Sequence, residues 1–290
     1  MTMQLTVSRF CMPPISLIGC GASKTVGDQL KGFGAKKALI VTDKGLSKAG
    51  VADTIKKYIV DAGLQAVIFD GAEPNPTDLN VADGLKVYKE NGCDSIVTLG
   101  GGSSHDCGKG IGIVVSNGGN IRDYNGIDTV KKPMPTFIGI NTTAGTGSEM
   151  SLGCVITNTD THTKMVVWSI NVPPAVAIND TELMVGMPPA LTAATGMDAL
   201  THAVEAYVGL GANPKSDALA LQAIRLVVKY LPKAVANGQD LVARGPDGLE
   251  DADLVKPADH GHHHDAGNGE SSRHRGEHGD HARGRALGPQ

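Results

Sequence analysis

From Lys36 onward, short apolar runs alternate with amphipathic stretches. Residues 36–43 (KKALIVTD), 64–71 (LQAVIFDG) and 93–103 (CDSIVTLGGGS) are nearly unbroken Val, Ile and Leu ended by Asp or Gly. That is the pattern of strands buried on both faces. Between them, residues 51–62 and 80–91 carry apolar side chains at helical spacing. Strands alternating with helices predict a parallel sheet covered on both sides, the α/β doubly wound class. Residues 135–149 add an apolar run ending in a Gly/Thr-rich turn, 150–169 alternate around a polar turn as a hairpin does, and 173–180 form one more strand. At Thr181 the character changes: 191–210 and 216–236 read as helices, the first rich in Ala. The pattern predicts an α/β domain over 1–181 and a truncated, all-helical domain over 182–243.

After Ala243 the periodicity stops. No Phe, Tyr, Trp, Ile or Met follows, and the larger aliphatics are Leu249, Leu254, Val255 and Leu287. Such a segment buries too little apolar surface to offset the entropy of ordering it, so residues 244–290 are expected to be disordered. The histidines mark the same break: of the 10 in the chain, His105, His162 and His202 precede residue 260 and seven crowd between His260 and His281. Enrichment in Gly, Arg, His, Asp, Ala and Pro is what an out-of-frame read of GC-rich DNA produces, and the tail is expected to be of that origin.

Composition narrows the function classes. With 41 % hydrophobic and 19 % charged residues the chain can build a core, and its net charge of -4 offers no basic footprint for nucleic acid or anionic lipid. No apolar run approaches the roughly 18 residues of a membrane helix. Pro13 and Pro14 interrupt the N-terminal apolar stretch, which lacks a cationic start, so no secretory signal is expected. Five widely spaced cysteines, an odd number, suit reduced thiols in the cytoplasm.

The glycine-rich turns carry the first candidate chemistry. A strand running through Gly100, Gly101 and Gly102 into SSHDCGKGIGIVV predicts a helix capped by Ser103 or Ser104. Free N–H groups at such a helix start bind pyrophosphate, although the glycines alone serve an ordinary tight turn equally well. The spacing is not the G-x-G-x-x-G fingerprint. Asp43, closing an earlier strand, can hold the hydroxyls of an adenosine ribose and repel a 2′-phosphate, or simply cap a helix. The turn 141–147 (NTTAGTG) offers hydroxyls and amides, with Thr142 and Thr143 foremost. Asp198 and His202 stand four apart on a predicted helix and so share a face, where they can clamp a divalent cation. His105 is expected on an exposed first helical turn, Cys107 and Cys154 as small buried hydrophobes, and Trp168 as an anchor for the hairpin.

Ala177-Ile178-Asn179-Asp180, then Pro188, then Asp198-Ala199-Leu200 through His202 to Glu205 resemble the signature of the iron-containing (group III) alcohol dehydrogenases. IVTDKGL (40–46), EPNPT (73–77), GGGSSHDCGKGIG (100–112) and NTTAGTGSEM (141–150) follow in the family's order. The wording is most similar to the branch of NAD-dependent 1,3-propanediol and methanol dehydrogenases. The resemblance implies an α/β dinucleotide-binding domain joined to a helical metal-binding domain. It implies hydride transfer between a short primary alcohol or diol and NAD, aided by iron(II) or zinc, with a small alcohol or aldehyde as partner and homo-oligomers among intact members. It makes Asp43 the NAD/NADP discriminator, Asn75, Gly101, Gly102, Ser103, Thr142, Thr143 and Lys164 cofactor contacts, and Asp198 and His202 the catalytic metal's first two ligands. The family supplies two further histidines from helices beyond residue 243, and the composition after Ala243 does not match them. Histidines of the tail, among them His262, His263 and His264, could complete the site, but such a tail lacks supporting contacts. The alternative to an active dehydrogenase is a non-catalytic NAD-binding fragment without a complete metal site.

Overall fold

The computed structural model describes residues 10–245. Residues 1–9 and 246–290, the latter holding the seven clustered histidines and most of the predicted tail, lie outside the described residues. In chain order the elements are β1 (Ile15–Ile18), α1 (Val26–Gly32), β2 (Lys37–Val41), α2 (Lys44–Lys48), α3 (Val51–Asp61), β3 (Gln65–Phe69), α4 (Asp78–Glu90), β4 (Ser95–Gly100), α5 (Gly102–Asn117), β5 (Gly126–Ile127), β6 (Thr136–Asn141), β7 (Gly153–Asn158), β8 (Thr163–Trp168), β9 (Val176–Asn179), α6 (Pro189–Val208), α7 (Pro214–Ala236) and α8 (Leu241–Arg244).

Six strands form one parallel sheet in the order β1-β9-β6-β4-β2-β3, the α/β arrangement the sequence predicts. Alternate side chains of each strand enter different cores. Leu39, Val41, Ile96 and Phe137 pack under α4, α5 and the β7–β8 hairpin. Ala38, Ile40, Val97, Leu99, Ile138, Ile140, Val176 and Ile178 pack under α1 and α3. This is why the strands read as unbroken apolar runs: both faces are dry. The hairpin is antiparallel from Gly153↔Trp168 to Asn158↔Thr163, and β5 joins it in a second, three-stranded sheet.

The order of strands reverses at β2 and β4. From β2 the chain passes through α3 on one face to β3, and from β4 through α5 on the opposite face to β6. Helices leaving adjacent strands toward opposite faces open a crevice at the strands' carboxyl ends, where ligands of open α/β sheets bind. Asp43 and the glycines 100–102 stand at that end.

Two features escape the sequence pattern. Strand β1 and helix α1 precede Lys36; β1 has four residues and α1 seven, too short for a periodicity to register. The described residues also run past the predicted boundary at 243. Asp240 caps α8 through a bond from the Ala243 amide, and Arg244 reaches back to the Gly238 carbonyl at 2.7 Å and Thr192 Oγ1 at 3.0 Å. Arg244 therefore belongs to the fold rather than to the tail. The α6 and α7 helices start at Pro189 and Pro214, since proline's fixed φ suits a first turn whose N–H has no partner anyway.

Candidate functional site

Gly100 ends β4 at φ +148°, a backbone conformation that only glycine adopts without strain. The next two glycines have a different purpose. A Cβ on Gly101 would stand 2.9 Å from Thr143 Oγ1, and one on Gly102 2.9 Å from Thr146 Cγ2. The glycines thus let the 142–147 turn lie against the start of α5, and Thr142 N donates to Gly100 O at 3.0 Å across the same seam. The cap of α5 is Gly101, not Ser103 or Ser104, and it offers no side-chain bond to the first turn. The serines sit inside that turn because the helix starts one residue after the strand ends. Its leading amides have no side-chain cap, and Gly102 and Ser103 line a cavity of about 480 Å³.

Six of the predicted cofactor and metal residues border this one cavity: Asn75, Gly102, Ser103, Lys164, Asp198 and His202. Lys164 Nζ donates to Asn75 Oδ1 at 2.9 Å. Asn75 sits at φ +55° in the 73–77 loop, which is fixed by Thr157 N donating to Pro76 O at 2.8 Å. A neutral partner aims the ammonium while leaving its charge for a ligand. Gly101, Thr142 and Thr143 are not among the residues that line it. Asp43 caps α2, its Oδ1 accepting from the amides of Gly45 at 2.7 Å and Leu46 at 3.0 Å. It stands at the crevice's β2 side but outside the cavity lining.

Beneath the cavity lies a buried polar layer that sequence reasoning missed. His105 is fully buried, where an exposed first turn was expected. Its Nδ1 meets Thr98 Oγ1 at 2.7 Å, and burial, aided by the Lys109 charge, depresses its pKa to about 3. It is a neutral interior imidazole. Its Nε2 and Glu149 Oε2 are buried without hydrogen-bond partners. Burial raises the Glu149 and Asp106 carboxyls above their usual range, against the pull of Lys109. Lys109 itself is completely enclosed. The signal that could have exposed this layer is a charged pair, Asp106 and Lys109, set among the small and apolar residues Cys107 to Val115 of one helix. Cys107 and Cys154 are buried as expected. Trp168 packs its ring across Gly153, where a Cβ would stand 2.8 Å from Cε3, and it also lines the cavity while partly exposed. It anchors the hairpin and offers a face to a ligand.

The cavity fits a dinucleotide in kind: uncapped helix amides for a pyrophosphate, an aimed ammonium and an aromatic face. The metal half fits less well. Asp198 Oδ1 and His202 Nε2 are 3.8 Å apart on the cavity wall, with side chains 42 % and 51 % exposed. Among the described residues no group of three or more His, Cys, Asp or Glu converges to hold a metal. Two donors fall short of the roughly four that iron or zinc takes.

A parallel sheet with this reversal and a glycine-led helix at the crevice define a doubly wound α/β fold of the kind that binds ligands at its switch point. Comparison with known proteins makes the assignment specific. The family profile "Iron-containing alcohol dehydrogenase" matches residues 13–181, and that of the "Fe-containing alcohol dehydrogenase family, C-terminal" matches 192–249. The chain belongs to the iron-containing alcohol dehydrogenase family. It is 53 % identical over 237 residues to the 1,3-propanediol dehydrogenase of Klebsiella pneumoniae, covering 81 % of this chain and 61 % of that protein. It is 52 % identical to the NAD-dependent methanol dehydrogenase of Bacillus methanolicus, covering 82 % and 62 %. A crystal structure of 1,3-propanediol oxidoreductase superposes with a TM-score of 0.81 at 52 % identity, covering 83 % of this chain and 63 % of that one. The chain thus spans about three fifths of the length of these relatives.

Proposed function

We propose that this chain serves hydride transfer between a short primary alcohol or diol and NAD, with residues 1–181 binding the dinucleotide and 182–243 contributing to a metal-binding domain. The observation that carries the reading is the single cavity bordered by the α5 N-terminus, the Asn75–Lys164 pair and the Asp198–His202 pair. Nicotinamide, when bound, supplies the hydride acceptor. The amides of Gly102 and Ser103 would hold the pyrophosphate at the positive end of α5. Lys164, aimed by Asn75, would bind a phosphate or ribose oxygen. Asp43, Gly101, Thr142 and Thr143 would shape the remaining cofactor contacts, with the Asp43 carboxylate favouring a ribose hydroxyl over a 2′-phosphate.

Asp198 and His202 would give a divalent cation, iron(II) or zinc, two of its donors. Alcohol activation is therefore not assigned to these two residues alone. The reading also places the chain in the cytosol, with homo-oligomers among intact members of the family; five widely spaced cysteines, an odd number, support a reducing compartment. No described helix is long and apolar enough to cross a membrane.

The test is calorimetric titration of the 290-residue chain with NAD and with NADP, followed by assay with 1,3-propanediol and methanol in the presence of iron(II). NAD binding in preference to NADP is expected, and a chain that binds neither overturns the reading. NAD binding without turnover at any metal concentration selects the non-catalytic fragment, in keeping with the two donors described.

A further inference from the structure

The chain holds a second cavity, of about 330 Å³, that shares no lining residue with the first. Helix α6 contributes to both: Asp198 and His202 border the first, and Thr192, Thr195 and Ala199 border the second. Further wall comes from Met184 and Met187, from Leu226 and Val227 on α7, and from Arg244 at the end of α8. The volume falls at the lower end of the range for small-molecule sites, and an apolar lining with a few polar atoms is what such sites have.

Arg244 is the one charged side chain among the described residues that line this cavity. Its Nε donates to Gly238 O at 2.7 Å and its Nη2 to Thr192 Oγ1 at 3.0 Å, and the contact of Nη1 is the Met187 sulfur at 3.9 Å. All three partners are neutral. Burial holds the guanidinium below its usual pKa, and no carboxylate among the described residues acts against that. A cation that has given up water without gaining a counter-charge is unfavourable. The neutral bonds fix its direction and leave part of its fork of N–H donors for an anion. Tyr230, buried on the same lining, has a hydroxyl with no hydrogen-bond partner among the described residues. Such a group is satisfied by a water or ligand oxygen.

We propose that this second cavity binds an aliphatic monocarboxylate of medium length, its carboxylate on Arg244 and its chain against Met184, Met187, Leu226 and Val227. Guanidinium and carboxylate match each other through two parallel N–H···O bonds. The lining selects against other classes of ligand. A neutral lipid leaves the guanidinium without a counter-charge, and a phosphate ester brings up to two negative charges to a wall with a single cation. A long acyl chain exceeds the volume, whereas one of about eight carbons suits a site at this end of the size range. This holds whether or not the first cavity takes NAD.

The decisive experiment is titration of the full chain with octanoate and with octanamide, which has the same chain length and no charge. Calorimetry reads the affinity, and isotope-labelled methionine methyls, with Met184 and Met187 assigned, read the place. The expected result is one octanoate per chain, shifts at both methionines, and an affinity about tenfold or more above that for octanamide. Arg244→Met should remove the preference for the acid. Val227→Trp, which fills the cavity and keeps the guanidinium, should remove binding of both compounds. If Arg244→Met gives no cooperative melt, the parent's discrimination between acid and amide and the Val227→Trp variant decide. Equal affinity for octanoate and octanamide overturns the proposal, since the cavity then has no place for an anion. Octanoate that leaves Met184 and Met187 unshifted overturns it too, as does failure of octanoate to bind. In that last case, amides beyond residue 245 protected from hydrogen exchange would assign the cavity to the chain's own continuation.

Discussion

The α/β part of the chain and its helical continuation contribute to the same cavity but are built to different standards. In the former, both hydrophobic cores are closed, and the residues behind the glycine turn are tied by buried hydrogen bonds. In the latter, α6 and α7 pack on each other yet leave Met197, Val204, Val208, Leu219 and Val228 exposed, and Asp198 and His202 stand half in solvent. Exposed apolar faces on adjacent helices mean that the pair has surface for further helices. The relatives, of which this chain covers about three fifths, are long enough to supply them. On the proposed reading the dinucleotide side of the cavity is built wholly from described residues, whereas the Asp198–His202 side holds two donors.

The largest expected contrast is in stability. Leu39→Ala, inside the first core, should cost about 3 kcal/mol in urea denaturation, whereas Leu219→Ala on α7 should stay within about 0.5 kcal/mol. Equal losses would break the distinction between the two parts. Next comes pH. His105 titrates near 6.5 when unfolded and near 3 in the fold, so between those values the unfolded chain binds more protons and stability rises with pH. The contribution is complete above pH 6.5 and lost on acidification toward 3. Asp106 and Glu149, raised by burial, act with the opposite sign, so the comparison is between the parent and His105→Gln. The variant should lack about 2–3 kcal/mol of the fall in stability between pH 6.5 and 4.5. Parallel pH profiles would show that the imidazole is not buried neutral. Third, Lys164→Ala should weaken NAD about tenfold without changing the melting temperature, since the side chain lies on an open wall. The smallest effect sharpens the comparison from the other side. Asp198→Ala or His202→Ala should reduce the weak zinc binding expected of two donors and leave the NAD Kd within about twofold. A large loss of NAD affinity in either variant would mean that the two halves of the cavity are coupled.

Most of the sheet was legible because its strands are dry on both faces and so read as apolar runs. The hairpin was legible because it alternates, and α6 and α7 because they are long. Strand β1 was not, since four residues at an edge leave no period. The site divides in the same way. Asn75 and Lys164 carry no joint signal 89 residues apart, and only the family resemblance named them. The glycines allowed a phosphate cradle or an ordinary tight turn equally, and the structure packs two of them against Thr143 and Thr146. His105, polar and near a turn, was expected outside; its burial depends on Thr98 in the preceding strand and on the Lys109 layer beneath. Local sequence does not state such dependence on other elements.

Among the described residues β1 pairs only with β9, joining Ile15–Ile18 to Val176–Asn179, and Asp180 binds the amides of Gly21 and Ser23 beside it. On a ribosome adding about 5–20 residues each second, the first strand has to wait roughly 10–30 s for its neighbour to be made. Once β6 is made, its edge of the growing sheet stays open for roughly 2–7 s more, until Val176 is added. A chaperone that covers nascent strands would find its substrate there, and synonymous codons that slow translation before residue 176 would lengthen the exposure.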